Sequence, residues 1–266
     1  PRSTLFPYTT LFRSTASLSN GLMLFTGPTG SGKTTTLYAL LNEIINSNKK
    51  IITIEDPIEY ELKGACQIQV GKNDDVSFDN ILKSVLRHDP DVIMVGEIRD
   101  ISSLNIVIES SLSGHLVFST LHTKDAISTI VRLKEMGVAN YLISDAISCI
   151  HSSRLIQKLC SYCKVKYSPL ESLLQRYKIK EMDFYQKNGC EKCNMTGYVS
   201  RISISETLEM SQIVIEDNIN STYQDLYNLA KNNGFVSMLD NGIIKAKQGI
   251  VDIKDVIHQV YINAPL

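Results

Sequence analysis

A glycine-rich octapeptide near the start of the chain has the residue types needed to hold a phosphate group. It reads Gly-Pro-Thr-Gly-Ser-Gly-Lys-Thr and fits the pattern G-x-x-x-x-G-K-[ST]. Glycines let backbone amides converge on phosphate oxygens, and a following helix points its positive end at the same charge. A glycine turn without a ligand is the alternative. The predicted nucleotide- and cofactor-binding residues are Gly27, Pro28, Thr29, Gly30, Ser31, Gly32, Lys33, Thr34 and Thr35, together with Asp56 and Glu59.

Within that set, two side chains have separate roles. Lys33 would reach the β- and γ-phosphates, and the hydroxyl of Thr34 would bind magnesium. The sequence therefore predicts ATP and Mg²⁺ as ligands.

Acidic residues follow two apolar segments that have the pattern of buried strands. Glu55, Asp56 and Glu59 follow the first, and Glu97 follows the second. In parallel sheets the active site lies at the carboxyl ends of the strands, where the phosphate loop also lies. Hydrolysis needs one carboxylate near the magnesium and another to orient or deprotonate water. Glu97 is the leading candidate for the second role, with Glu55, Asp56 and Glu59 behind it; a solvated loop or a helix cap is the alternative.

Two histidines and an arginine complete the catalytic candidates. His115 and His122 bracket an apolar segment, and Arg99 follows Glu97 by two residues. His122 lies beyond the end of the predicted strand and so near the nucleotide. His115 lies at its start, about a strand length away, and could instead order a neighbouring loop.

Four of the six cysteines form two C-x-x-C pairs. The pairs are Cys160 with Cys163 and Cys190 with Cys193. Four thiolates in tetrahedral geometry are the ligands that structural zinc prefers. We therefore predict a closed Zn²⁺ site, with unpaired thiols or a redox pair as the alternatives.

The elements that must position these residues alternate between short apolar strands and helical stretches. That alternation predicts a parallel sheet covered on both faces. The predicted strands are 21–26, 51–54, 92–95 and 116–120, and the predicted helices are 35–46, 78–86, 142–159, one around 170–177 and a helical tail from residue 222.

Composition limits the function classes. The chain has 266 residues, 43% hydrophobic and 21% charged, with a formal net charge of -1. This balance argues against a dedicated nucleic-acid binder, and we expect no stable nucleic-acid binding. No apolar run approaches the roughly 20 residues that span a bilayer, and no secretory signal is present, so we expect a cytoplasmic protein.

Residues 1–14 have neither helix nor strand periodicity. In one reading frame they match a translated sequencing-library adapter, codon by codon. We expect that they are not part of the natural protein and that the gene continues upstream of Thr15. A flexible native terminus is the alternative.

Four motifs in this order resemble the type II secretion and type IV pilus-assembly ATPases, over about residues 19–260. Residues 27–34 are similar to the Walker A box of that family, and 52–60 to its aspartate box. Residues 93–100 are similar to its atypical Walker B box, and 114–126 to its histidine box. The four cysteines are similar to the zinc-binding insertion of the assembly-type members, which retraction ATPases lack.

The resemblance implies an α/β fold, a RecA-like P-loop NTPase core with a parallel sheet flanked by helices. We expect the core at 15–159, a tetracysteine zinc-binding subdomain at 160–200 and a helical C-terminal subdomain at 201–266. Glu97 corresponds to the catalytic glutamate of the family, and His115 and His122 to its histidine-box residues.

The resemblance also implies a homohexamer that hydrolyses ATP and acts on an inner-membrane platform protein. It would be cytoplasmic and peripheral to the inner membrane through its partner proteins. Hydrolysis would produce a motion of the ring that drives pilin or pseudopilin assembly or type II secretion. The alternatives are a non-hydrolysing ring subunit and a pilus-retraction or DNA-uptake motor. An upstream domain supplies arginines to the nucleotide in the family, so we expect this chain alone to bind ATP weakly and hydrolyse it poorly.

Overall fold

The computed structural model describes residues 18–45, 48–71, 78–180, 183–213 and 222–261, and it divides the chain into two compact units. The first unit contains residues 1–152 and 207–235, and the second contains 153–206 and 236–266. The predicted adapter segment, 1–14, lies outside the described residues. Each unit is assembled from two separate stretches of chain, and the subdomain boundaries given above stay a prediction.

The strands are β1 (Gly21–Thr26), β2 (Ile51–Glu55), β3 (Cys66–Gln69), β4 (Val92–Val95), β5 (Leu116–Leu121), β6 (Ile147–Leu159), β7 (Val165–Tyr167), β8 (Phe184–Gln186) and β9 (Tyr198–Glu209). Seven of them form a sheet in the order β3-β2-β4-β5-β1-β6-β9, and β7 pairs with β8 in an antiparallel hairpin. The pairs β2–β3, β2–β4, β4–β5, β1–β5 and β1–β6 are all parallel. The α/β class with a largely parallel sheet is therefore confirmed.

The helices are α1 (Lys33–Ile45), α2 (Phe78–Leu86), α3 (Ile101–Leu112), α4 (Ala126–Glu135), α5 (Asn140–Ala146), α6 (Glu171–Arg176), α7 (Tyr223–Asn232), α8 (Met238–Lys247) and α9 (Ile253–Val260). Short 3₁₀ turns occur at Glu191–Cys193 and Met210–Gln212. Among the described residues, no helix is long and apolar enough to cross a membrane.

The first unit has a core on each face of its sheet. In β1, Leu22 and Leu24 join one apolar cluster, and Met23 and Phe25 join the other. Every residue of β1 is buried. Strands covered on both faces carry continuous apolar runs, which is why the predicted strands at 21–26, 51–54, 92–95 and 116–120 agree with β1, β2, β4 and β5.

The predicted helix at 142–159 is wrong beyond its first turn. The chain is helical only through α5, and β6 then continues for thirteen residues. Ile147 and Ile150 satisfy a helical spacing, but they also fit a strand buried on both faces, which periodicity alone does not distinguish. Parallel pairing with β1 decides the outcome in favour of the strand.

The segment 201–266, predicted to be helical, begins in a strand. β9 extends through Glu209, and α7 to α9 follow. Residues 207–235 belong to the first unit because Leu208, Met210, Leu226 and Phe235 enter its core. In the second unit, α8 and α9 bury Met238, Ile253 and Val256, among other residues.

Phe118 in β5 offers a test of the first unit's core. Its side chain is fully buried and packs edge-on against Phe25, with ring centroids 6.4 Å apart. We expect Phe118→Ala to lower the free energy of unfolding by about 3–5 kcal/mol, because the truncation leaves a cavity. Urea denaturation followed by circular dichroism measures this. Leu112→Ala, at a side chain 44% exposed, should lower the free energy of unfolding by less than about 1 kcal/mol. Equal losses of stability in the two variants would contradict the assignment of Phe118 to the core.

Candidate active site and metal centre

The predicted phosphate loop joins β1 to α1. Gly27, Gly30 and Gly32 have φ angles of 139°, 76° and 91°, values that side chains with a Cβ rarely adopt. These glycines let the chain turn sharply from the end of β1 into the first residue of α1, which is Lys33. The loop therefore lies directly before a helix N-terminus, as anion binding requires.

Lys33 is turned back into this loop. Its Nζ donates hydrogen bonds to the carbonyl oxygens of Gly27 at 2.9 Å and Pro28 at 3.0 Å. Burial lowers the pKa of Lys33, and the charge of Glu97 opposes that shift. The ammonium group and the Glu97 carboxylate are therefore close enough to interact electrostatically.

Glu97 belongs to a group of four charged or titratable side chains, which we call the acid–arginine cluster: Asp56, Glu97, Arg99 and His122. Arg99 donates hydrogen bonds to Glu97 and to Asp56, the latter at 3.2 Å. The Nε2 atom of His122 lies 3.5 Å from Glu97 Oε2. Hydrogen bonding to Glu97 raises the pKa of Arg99, so the guanidinium stays charged. One arginine thus joins the acids that follow β2 and β4.

The sheet order explains why these residues meet. β4 lies between β2 and β5, and β5 lies next to β1, so the carboxyl ends of these strands share one edge. Gly96 donates to the carbonyl of Ile54 at 2.8 Å and accepts from the Thr120 hydroxyl at 2.7 Å. These bonds fix the turn that carries Glu97 between its two neighbouring strands.

The structure separates Glu55 from this cluster. Its side chain is 3% exposed and accepts hydrogen bonds from Tyr38, from Thr53 at 2.6 Å and from Gln67 at 3.1 Å. Both carboxylate oxygens are therefore engaged inside the protein. Asp56 and Glu59, by contrast, are exposed.

His115 is not brought to the carboxyl edge. It precedes β5, whereas His122 follows it, so the two lie about 20 Å apart along an extended strand. The Nδ1 atom of His115 lies 3.0 Å from the carbonyl of Ser110 and 3.2 Å from the hydroxyl of Ser113. Within this chain it orders the turn between α3 and β5.

The four cysteines of the C-x-x-C pairs converge in the second unit. Their Sγ atoms all lie within 4.8 Å of one another. The separation is 3.7 Å between Cys190 and Cys193, 3.8 Å between Cys163 and Cys193, and 3.9 Å between Cys160 and Cys190. Four thiolates about 2.3 Å from one zinc ion would lie about 3.8 Å apart, so the side chains fit tetrahedral coordination. β7, α6 and β8 occupy the linker between the two pairs, which agrees with the helix predicted near 170–177.

Backbone amides also point at these sulfurs. Cys190 and Gly197 donate to Cys193 Sγ at 3.3 and 3.2 Å, and Gly189 donates to Cys163 Sγ at 3.3 Å. Burial would raise the pKa of Cys193, but the amides of Cys190 and Gly197 lower it to about 6. Burial raises the pKa of Cys163 to about 11, and the Gly189 amide only partly opposes that shift. The amide donors therefore favour the thiolate form, which binds metal, most clearly at Cys193.

Sequence reasoning missed Tyr38 and Gln67, which hold Glu55. The sequence analysis does not single out Tyr38 within the predicted helix 35–46, and Gln67 lies in the short strand β3, which was not predicted. A tyrosine hydroxyl on a buried helix face indicates that a hydrogen-bond partner must lie nearby. It does not indicate that this partner is Glu55, seventeen residues along the chain.

Comparisons with known proteins agree with this geometry. A family model described as "Type II/IV secretion system protein" matches residues 7–258. The chain is 39% identical to the type IV pilus assembly ATPase PilB of Thermus thermophilus over 257 residues, which cover 92% of this chain and 28% of that protein. It is also 39% identical to the type II secretion system ATPase E of Vibrio cholerae over 261 residues, covering 92% of this chain and 50% of that one. The chain thus spans no more than half the length of either relative.

Two solved structures share the fold. The pilus retraction motor PilT with bound ADP matches with a TM-score of 0.68 and 28% identity, covering 96% of this chain and 64% of that one. The ATPase DotB of Yersinia pseudotuberculosis matches with a TM-score of 0.72 and 20% identity, covering 97% and 61%. The second likeness concerns the fold alone.

Asp100 anchors the turn that carries Glu97 and Arg99, and its titration is measurable. It caps α3 by accepting from the backbone amide of Ser103 at 2.8 Å, and this bond lowers its pKa below the usual 3.8. Its stabilising effect is therefore fully present above pH 3.8 and is lost as the pH falls through the lowered value. We expect the stability difference between wild type and Asp100→Asn, which caps without titrating, to shrink as the pH falls below 3.8 in urea titrations. A constant difference would contradict this.

Proposed function

The chain belongs to the type II/IV secretion system protein family, and from that membership we propose that its first unit binds Mg²⁺-ATP and hydrolyses it in a secretion or pilus-assembly motor. The observation that carries the proposal is the meeting of two motifs at one sheet edge. The phosphate loop follows β1 and Glu97 follows β4, and the carboxyl ends of these parallel strands share one edge of the sheet.

Each motif has a role in this reaction. The loop amides and Lys33 bind the phosphates, and Lys33 would exchange its bonds to Gly27 and Pro28 for phosphate oxygens. Glu97 orients the attacking water and accepts its proton, and its 32% exposed side chain is accessible to that water. A magnesium ion held near the Thr34 hydroxyl would neutralise charge on the phosphates. Arg99 and His122 hold Glu97 in place.

For the second unit, we propose that the four cysteines hold a structural zinc ion. The sulfur separations fit tetrahedral coordination, and four protein thiolates would leave no position for a substrate. Such an ion would join the two C-x-x-C turns and so stabilise the fold around them.

The partners follow from the relatives and remain part of the proposal. The named relatives are ATPases of type IV pilus assembly and type II secretion. We propose a homohexamer in the cytoplasm that acts on an inner-membrane platform protein and needs an upstream domain for full activity. A retraction motor is the second candidate, favoured by the likeness to PilT, whereas the cysteine cluster favours assembly.

ATP binding and hydrolysis are tested by two substitutions with different effects. We expect Lys33→Ala to abolish binding of a fluorescent ATP analogue, because the phosphates lose their cation. Glu97→Gln should bind normally but release phosphate at least about 100-fold more slowly, because the water loses its base. Lys83→Ala, at an exposed lysine of α2, is the control. Normal binding by Lys33→Ala, or unchanged turnover by Glu97→Gln, would refute the assignment.

The metal content of the purified chain tests the second proposal. We expect about one zinc ion per chain by elemental analysis, and a clear loss in Cys193→Ser. Cys66→Ser, an exposed thiol outside the cluster, should retain the metal. A chelator should lower the melting temperature of the wild type but not of Cys193→Ser. Wild-type protein without bound metal, even after growth with added zinc, would contradict a zinc site.

A further inference from the structure

A buried tyrosine lies on the helix that begins at the phosphate loop. Tyr38 is in α1, five residues after Lys33, and its side chain is fully buried. Its hydroxyl donates a hydrogen bond to Glu55 Oε2. Because Thr53 and Gln67 occupy the other oxygen, the carboxylate is held in one orientation and fixes the hydroxyl in turn.

The same carboxylate connects the hydroxyl to the segment 56–60, which we call the acidic loop. Its Oε1 atom accepts from Gln67 Nε2, which also donates to the carbonyl of Tyr60. Tyr38, Glu55 and Gln67 therefore join α1, β2 and this loop. Burial and the adjacent Glu55 raise the pKa of Tyr38, so the hydroxyl keeps its proton and remains a donor.

The acidic loop is also held from outside. The ring of Tyr60 packs edge-on against Tyr38, with centroids 4.4 Å apart. The side-chain amide of Gln67 donates to the carbonyl of Tyr60 at 3.2 Å and accepts from the N–H of Leu62 at 2.7 Å. The loop is therefore fixed against α1 by both polar and aromatic contacts.

This loop carries two of the exposed acids at the sheet edge. Asp56 pairs with Arg99, and Arg99 also holds Glu97. The contacts thus form a continuous series from the phosphate-binding helix to the proposed base: Tyr38, the acidic loop, Arg99 and Glu97.

We propose that Tyr38 is a positioning residue for ATP hydrolysis, whose hydroxyl fixes the acidic loop to the phosphate-binding helix, and that Glu55 orients this hydroxyl instead of activating water. This inference rests on the proposed function. It assigns Glu55 a role different from that of a catalytic acid or base. The full burial of both side chains excludes direct contact with the nucleotide's phosphates from this position.

The isosteric variant Tyr38→Phe removes only the hydroxyl. We expect the ATP analogue to bind within about twofold of wild type, because the phosphate loop is intact. Turnover at saturating ATP should fall about 10- to 100-fold, since small displacements of reacting groups have effects of this size. Amide hydrogen exchange at residues 56–60 should become faster. Tyr141→Phe, at a side chain 56% exposed in α5, is the matched control and should change none of these.

Glu55→Gln separates positioning from acid–base chemistry. We expect it to reduce turnover no more than Tyr38→Phe does and to keep the acidic limb of the pH–rate profile. The double variant should be no slower than the worse single variant, because both remove one interaction. A loss of over about 1000-fold with loss of that limb would make Glu55 the base and overturn the inference.

The remaining outcomes are also decisive. Normal turnover and normal exchange in Tyr38→Phe would refute the positioning role while leaving the ATPase assignment intact. A wild-type chain that neither binds nor hydrolyses ATP would refute the proposed function, and this inference would fall with it.

Discussion

The arrangement of opposite charges at one edge of the sheet is the constraint on which the candidate active site depends. Asp56 and Glu97 come from two different strand ends, and like charges so near each other would repel without Arg99 between them. Arg99 reaches both because Gly96 is hydrogen-bonded to the strands on either side. The backbone ladder and the side-chain charges therefore support each other in holding Glu97 at this edge.

Much of the fold and of the candidate site could be predicted from the sequence, because the features that indicate them are local. The phosphate loop, the buried strands beside it and the acids that follow them are each visible in a few consecutive residues. Glu97 and His122 meet because parallel strands share an edge, which the strand pattern already implies. The two C-x-x-C pairs are likewise visible in a few consecutive residues, and their spacing predicts a metal site.

The other features of the fold and the site could not be predicted, because they depend on contacts between distant segments of the chain. The strand β6 was misread because its apolar residues fit two periodicities, and only its pairing with β1 distinguishes them. Glu55 and Glu97 are both glutamates near a strand end, but Glu55 is the last residue of β2 and lies buried beneath Tyr38 and Gln67, whereas Glu97 lies two residues beyond β4. Residue type alone could not separate these two acids, because the side chains that cover Glu55 come from other segments of the chain.

The bonds from Lys33 to its own loop have a consequence for selectivity. An incoming ligand must compete with two carbonyl oxygens for this ammonium, so the net gain is the difference between the two sets of contacts. Carbonyl groups carry partial charges, whereas a polyphosphate tail carries several full ones and prevails in that exchange. A nucleoside or a monophosphate offers far less, and the loop would remain closed on itself. In the proposed function, the contacts of one lysine with its own loop would therefore favour ligands that carry several full charges.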